Sequence, residues 1–462
     1  MKAPLENVGE FARVRGRRAL ASGLVAAALL LVACGGAGDG DKGERARTDT
    51  TCDGRIDGTA QVTVWFHAGP SAESTTLRRQ VQDFNTSQRQ VRVEVVTLPE
   101  QRPYNELVLS AAASGDLPDL LDFDGPRLYS YAWSGRIKPI DSCLSDGLRE
   151  DLLPSIRQQG TYAGRLYGIG TFDSGLGLYV RPSVLKKAGI RIPEGPADAW
   201  TAGEFTGILR TLRGAGYRHP LDMGLVHARP GEEWSTYGFA PAVWSAGGEL
   251  IDPRTFRTAD GFLNGPASVR ALTTLQNWAG EGLVEPGRND QAFDQGRSVI
   301  SWTGHWRYPD YAEHFPGDVT IVPLPDFGEG TVTGMGSWQW GLTSGGADGD
   351  AVWRFLTYLL KPDQIHRMTE ANGAIPATDS AVKLSPEYAE GGAEHLFIEQ
   401  LRGGVARPRP RTPAYPAITE AFSRAFPKIM IDRAPVKATL DEAVEAIDKD
   451  LAAHDGYPRN GS

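Results

Sequence analysis

The sequence predicts an α/β fold built on parallel-rich sheets with helices packed on their faces. Three observations carry this. Strand and helix patterns alternate β-α-β-α-β between Gln61 and Phe123, the order that places parallel strands beside one another with crossover helices. The bulk composition, 40% hydrophobic and 23% charged, is that of a globular chain. The length of 462 residues is too great for one ordinary domain and calls for two or three.

Gln61 to Phe66, QVTVWF, is a short β-branched and aromatic strand. Leu77, Val81 and Phe84 recur at helical spacing, and the helix ends near Asn85. Val91 to Thr97 alternates apolar and polar residues, as a strand does. Tyr104, Leu107, Val108, Ala111 and Ala112 stripe a second helix, and Leu120 to Phe123 is a buried strand. Ligands of such sheets sit beyond the carboxyl ends of the strands. Here those ends are Phe66-His67-Ala68-Gly69 and Phe123-Asp124-Gly125-Pro126-Arg127. Further on, Leu166 to Leu185 reads as a strand end, a glycine-rich crossing, an apolar strand and a helix start. Thr201 with Glu204, and Thr439 with Glu442, have the spacing of capping boxes.

The N-terminus has a different character. Arg13, Arg15, Arg17 and Arg18 precede an apolar run from Ala19 to Ala33. That run is shorter than a membrane-spanning helix requires and has the order of a signal peptide. It ends Leu31-Val32-Ala33-Cys34-Gly35-Gly36, which resembles the bacterial lipoprotein signal, with residues 1–33 removed and Cys34 lipidated. An ordinary secretory cleavage is the alternative. Arg17-Arg18 leaves the general and twin-arginine export routes both open. Residues 34–58 then form a polar tether. Such a chain is anchored to the outer face of the cytoplasmic membrane. Two cysteines remain, Cys52 and Cys143. Outside the cytoplasm two leftover thiols pair, or else stay as separate thiols. The net charge of −9 provides no electrostatic footprint for nucleic acid. No His or Cys spacing suggests a metal site, no phosphate-binding loop is present, and no cofactor is expected.

Further motifs carry a resemblance. Gly115-Asp116-Leu117-Pro118-Asp119, Ser134-Gly135-Arg136-Ile137, Pro139-Ile140-Asp141, Trp200 to Phe205, Phe293 to Trp306, and Gly373-Ala374-Ile375-Pro376 occur in this order. Together they resemble the extracellular solute-binding proteins of bacterial ABC importers, nearest to the carbohydrate-binding branch typified by maltose-binding protein. The resemblance runs from about Thr59 to the end. It implies a two-lobed periplasmic-binding-protein-like fold of type II, with three hinge crossings. The first lobe would comprise 59–172 and 322–360, and the second 173–321 and 361–462. The crossings would fall near Thr171–Ser174, Thr320–Pro325 and Tyr358–Pro362. It implies a monomer that binds a di- or oligosaccharide between the lobes and delivers it to the transmembrane subunits of a permease with a cytoplasmic ATPase.

A sugar presents apolar C–H faces and hydroxyls that donate and accept hydrogen bonds. Binding it takes aromatic platforms with carboxylate, amide or guanidinium groups. The chain has 11 Trp, so position decides which are candidates. Trp306 follows a strand and a glycine, where the family has a stacking tryptophan. Trp338 follows Gly334-Met335-Gly336-Ser337. Phe123 falls on another stacking position of the family, with Asp124 and Arg127 beside it. His67 and Glu73 follow the first strand. Asp173 lies in the first crossing, where the family places acidic or amide contacts, and is expected to act as both hinge and ligand contact. Trp244 precedes Gly247-Gly248, and Trp234 is a weaker candidate. In Arg407-Pro408-Arg409-Pro410-Arg411-Thr412-Pro413-Ala414-Tyr415, Arg411 and Tyr415 are candidates for a guanidinium fork and a stacking ring. Each has a plainer reading as core aromatic, helix cap, solvated charge or permease-facing surface. Two alternatives remain: a receptor for another solute, such as a glycerol phosphodiester or peptide, and a secreted glycoside hydrolase using two of these carboxylates.

Overall fold

A computed structural model describes Thr50 and residues 52–69, 71–98, 102–287, 289–346 and 349–458. The expected leader, Cys34 and the tether up to residue 49 lie outside these residues. Among the described residues, no helix is long and apolar enough to cross a membrane.

Two four-stranded sheets organise the chain. In the first, Ala60–His67 lies between Val91–Leu98 and Leu120–Asp124, parallel to both. Trp338–Leu342 adds an antiparallel strand beside Leu120–Asp124. Val62, Val64 and Phe66 point one way into the core, the period of two that a strand imposes. The helix Ser71–Ser87 covers that face with Leu77, Val81 and Phe84, all buried. Cys52 and Cys143 are joined by a disulfide across 91 residues of sequence.

In the second sheet, Leu176–Val180 pairs antiparallel with both Thr320–Val322 and Ile300–Gly304, and Leu221–Asp222 runs parallel to the latter. Every side chain of Leu176–Val180 and of Ile300–Gly304 is buried, so both faces of this sheet are covered. Thr201 caps the helix Ala202–Gly214 by accepting the Glu204 N–H at 3.1 Å. The last helix, Val436–Ala453, starts earlier than the Thr439–Glu442 spacing implies. Pro435 precedes it, and the Thr439 hydroxyl donates back to the Pro435 carbonyl as a helix-interior threonine does.

Three segments pass between the sheets. Ile169 bridges to Trp340 of the first sheet, and Gly175 bridges to Met335. Between them Phe172–Asp173 pairs antiparallel with Ile375–Pro376. The other two crossings correct the expected positions. Thr320–Val322 is still an edge strand of the second sheet, and Leu324 sits in the second core, so the return comes later, at Met335–Trp338. Likewise the chain does not cross at Tyr358–Pro362. Pro362 begins a helix, Pro362–Asn372, because a proline at the first helical position loses only an N–H that had no partner there. That helix docks on Ser71–Ser87, where the Gln80 amide donates to the Gln364 carbonyl and Arg367 pairs with Asp83. The third crossing is therefore Ile375–Pro376, beside the first. Residues 361–374 thus pack with the first lobe and 322–335 with the second, contrary to the expected boundaries.

Candidate functional site

The carboxyl ends of the first sheet's strands carry His67 and Asp124. Across a gap, the second sheet's strand ends carry Asp222, Thr303 and His305. The gap is a cavity of about 440 Å³ whose lining draws on both lobes and on the crossing residues Ser174 and Gly336.

On the first-lobe side the floor is a stack. The Trp338 indole lies flat on the His67 imidazole, with ring centroids 3.6 Å apart and planes within 6°. Tyr104 meets the indole edge-on at 5.9 Å. His67 is 1% exposed, and its Nδ1 bonds Asp122. Burial disfavours a charge on the ring, but Asp122 and then Glu73 outweigh it and hold the pKa up, at about 10. The stack is thus an indole over an imidazolium, a cation–π arrangement that fixes the indole plane. Glu73 Oε1 lies 3.7 Å from His67 Nε2 and accepts no hydrogen bond.

On the second-lobe side, Trp306 folds down over the end of its own strand. A Cβ at Gly304 would sit 2.1 Å from the indole ring, so only glycine permits this pose. Trp234 braces the ring edge-on at 6.0 Å, and Tyr237 lies at 6.2 Å. Both Trp306 and Trp338 are only partly buried and line the cavity. Asp222 and His305 lie deeper. Burial pushes the Asp222 carboxyl up and the His305 imidazole down to about 4, so His305 is neutral. Asp222 Oδ2 and His305 Nδ1 have no hydrogen-bond partner. Buried polar atoms rarely stay unpartnered. Asp222 Oδ2 and His305 Nδ1 are therefore two buried polar atoms of this cavity left open to a ligand, while Glu73 Oε1 faces the His67 imidazolium.

Arg409 ties the two sides together. Its guanidinium donates to both Asp124 carboxylate oxygens at 2.8 and 2.9 Å and to Glu233 Oε1 at 2.8 Å. Glu233 is itself held by the Tyr415 hydroxyl and by Thr419 at 2.8 Å. Arg409 is 4% exposed and stacks over Tyr237 at 4.8 Å. Burial opposes its charge, while Asp124, Tyr415 and Glu233 stabilise it and prevail. Asp124 belongs to the first lobe and Glu233 to the second, so this ion triad spans the cleft.

Of the residues singled out from sequence, Trp306, Trp338, Asp124, His67, Glu73 and Trp234 line the cavity. The others do not, for separate reasons. Phe123 is fully buried and packs edge-on against Tyr131 at 5.3 Å, because it alternates with Asp124 and points to the opposite face of its strand. Asp173 is fully buried where the first two crossings meet. It accepts from Gln159 Nε2 at 3.1 Å, from the Ser174 N–H at 2.8 Å and from the Gly336 N–H at 3.1 Å. Its neighbour Ser174 takes the cleft-facing place. Trp244 is a core residue of the second lobe, capped by the Arg407 guanidinium at 5.1 Å. Tyr415 is buried behind Glu233. Arg127 and Arg411 line two other cavities.

Arg409, Glu233, Asp222 and His305 carry no clear mark in the sequence. Arg409 shares strand parity with Arg407 and Arg411, so alternation could not choose among the three. Glu233 stands just before the helix Trp234–Ser245, a place where an acid also has a plain capping role. Asp222 ends a two-residue strand, too short to show a period.

A family model for bacterial extracellular solute-binding proteins matches residues 79–394. The mannitol-binding protein of Pseudomonas aeruginosa is 28% identical over 130 residues, a match covering 28% of this chain and 29% of that protein's length. Solved structures share the fold. The cyclic α-maltosyl-1,6-maltose binding protein of Arthrobacter globiformis superposes with a TM-score of 0.70 at 23% identity, covering 86% of this chain and 100% of the other. The GacH receptor of Streptomyces glaucescens, solved unliganded and with acarbose, gives 0.72 at 20%, covering 86% and 99%. The sugar-binding protein MalE of Xanthomonas citri gives 0.71 at 20%, covering 86% and 98%. With the family match spanning well over half its length, the chain belongs to the bacterial extracellular solute-binding proteins.

Proposed function

We propose that this protein is the carbohydrate receptor of an ABC importer, lipid-anchored at Cys34, which hands its ligand to a membrane permease. One observation carries the reading: two partly exposed indoles, one from each lobe, share a cavity with two buried polar atoms that lack partners, Asp222 Oδ2 and His305 Nδ1. The indoles suit the apolar faces of pyranose rings, and sugar hydroxyls, which both donate and accept, can partner the two open polar atoms. A volume of about 440 Å³ suits a mono- or disaccharide. The sugar ligands named for the structural neighbours, acarbose and maltose-type glucans among them, agree with this chemistry.

In this reading the sugar favours the closed arrangement because it touches both lobes at once. The proposed hinge is the set of crossings at 169–175, 335–338 and 375–376, with Asp173 tying the first two. A thermal-shift screen of the protein against saccharides, polyols, sugar phosphates and peptides tests it, since a ligand raises the melting temperature by mass action. A rise with a neutral saccharide is expected. No shift with any saccharide, or turnover of an oligosaccharide by the purified protein, would overturn the reading.

A further inference from the structure

Arg411 lies on a second cavity, of about 590 Å³, which the saccharide reading does not use. Its first-lobe wall presents Tyr129 and Tyr162. Its second-lobe wall presents Arg254, Arg257, Arg411 and Tyr457. Among the described residues, no carboxylate side chain lines it, and none of its three guanidiniums takes part in a described ion pair. Elsewhere Arg165, Arg181, Arg210, Arg367 and Arg402 each meet an Asp or Glu. A chain with 57 acidic and 48 basic residues has carboxylates to spare; Arg254 is near enough to Asp252 to help hold that carboxyl down, yet three guanidiniums without a described ion pair around one cavity are a feature to explain.

Arg257 does bond the Asp455 carbonyl at 3.4 Å, which positions the guanidinium without neutralising it. Arg411 is near enough to Tyr129 to oppose the burial that pushes that phenol up, so a charge from the second lobe faces an aromatic ring of the first. The loops that carry the walls are set by left-handed backbone at Ala163, Phe256 and Tyr457, with φ of 49°, 54° and 55°. Side-chain-bearing residues adopt that region only when the surroundings impose it.

We propose that this cavity binds a small organic oxyanion, a phosphate or sulfate ester. The guanidinium forks would hold the anionic group, and the tyrosine rings would lie against the organic part. The site is separate from the saccharide cleft and stands or falls independently of the proposed ligand there.

Calorimetric titration with phenyl phosphate at constant ionic strength tests this, with phenol and sodium chloride as controls. Saturable binding to the wild type is expected, together with a loss of at least about tenfold in affinity in the Arg254→Gln/Arg257→Gln/Arg411→Gln variant. Arg411→Gln alone, an exposed single change, keeps the test decisive should the triple variant fail to fold, and is expected to weaken binding by about threefold or more. No binding beyond the chloride control, or equal affinity in Arg411→Gln and the wild type, would overturn the proposal.

Discussion

Asp124→Asn tests whether the ion triad holds the lobes together. Asp124 accepts two guanidinium hydrogen bonds from Arg409 across the cleft. Charge-assisted bonds are worth about 1.5–3 kcal/mol each when well made. Asparagine retains one acceptor and no charge, while Glu233 remains 2.8 Å from Arg409 on its own side. The Asp124 side chain is 22% exposed, so water screens part of the loss. The net loss of lobe–lobe attraction comes to about 2–3 kcal/mol, a shift of roughly 30- to 150-fold toward the open arrangement. Small-angle scattering of the unliganded protein should show a larger radius of gyration in the variant. A double-mutant cycle with Arg409→Gln should return a coupling of at least about 1.5 kcal/mol. An unchanged radius together with a coupling under about 0.5 kcal/mol would refute the latch.

The remaining predictions concern platform, hinge, charge and crosslink. Trp306→Ala and Trp338→Ala should each weaken saccharide binding by about 10- to 100-fold in fluorescence titrations. Phe123→Leu should leave affinity within about twofold and lower stability by about 1–2 kcal/mol, because that ring packs in the core. Asp173→Ala should destabilise the protein by about 2–3 kcal/mol in urea titration, since it strips partners from the Ser174 and Gly336 amides and from Gln159. His67 gains protons on folding, with its pKa raised from 6.5 to about 10. Its stabilisation is therefore complete below pH 6.5 and is lost as pH rises through about 10. Melting temperature should fall between those limits, and less steeply in His67→Gln. Reducing the Cys52–Cys143 bridge, which spans 91 residues, should cost about 2–4 kcal/mol in a denaturant titration with and without reductant.

The sequence by itself determined the α/β class and the family, because both rest on local signals repeated many times. Alternation over Val91–Leu98 and the Leu77–Val81–Phe84 stripe arise from backbone geometry alone, and the ordered short motifs survive in a chain that shares little identity with its structural neighbours. It also singled out indoles that line the cleft, because strand ends and nearby glycines mark Trp306 and Trp338. Other properties depend on contacts distant in sequence. Whether Pro362 ends a lobe or starts a helix is decided by the packing of Pro362–Asn372 against Ser71–Ser87. Which arginine of 407, 409 and 411 bridges the cleft is decided by Asp124, 285 residues away from Arg409. Whether Asp173 faces a ligand or is buried between two crossing segments is decided by the amides of Ser174 and Gly336. Periodicity reports which side of an element is apolar; only the assembled lobes determine which charged group meets which partner and which carboxylate oxygens remain open to a ligand.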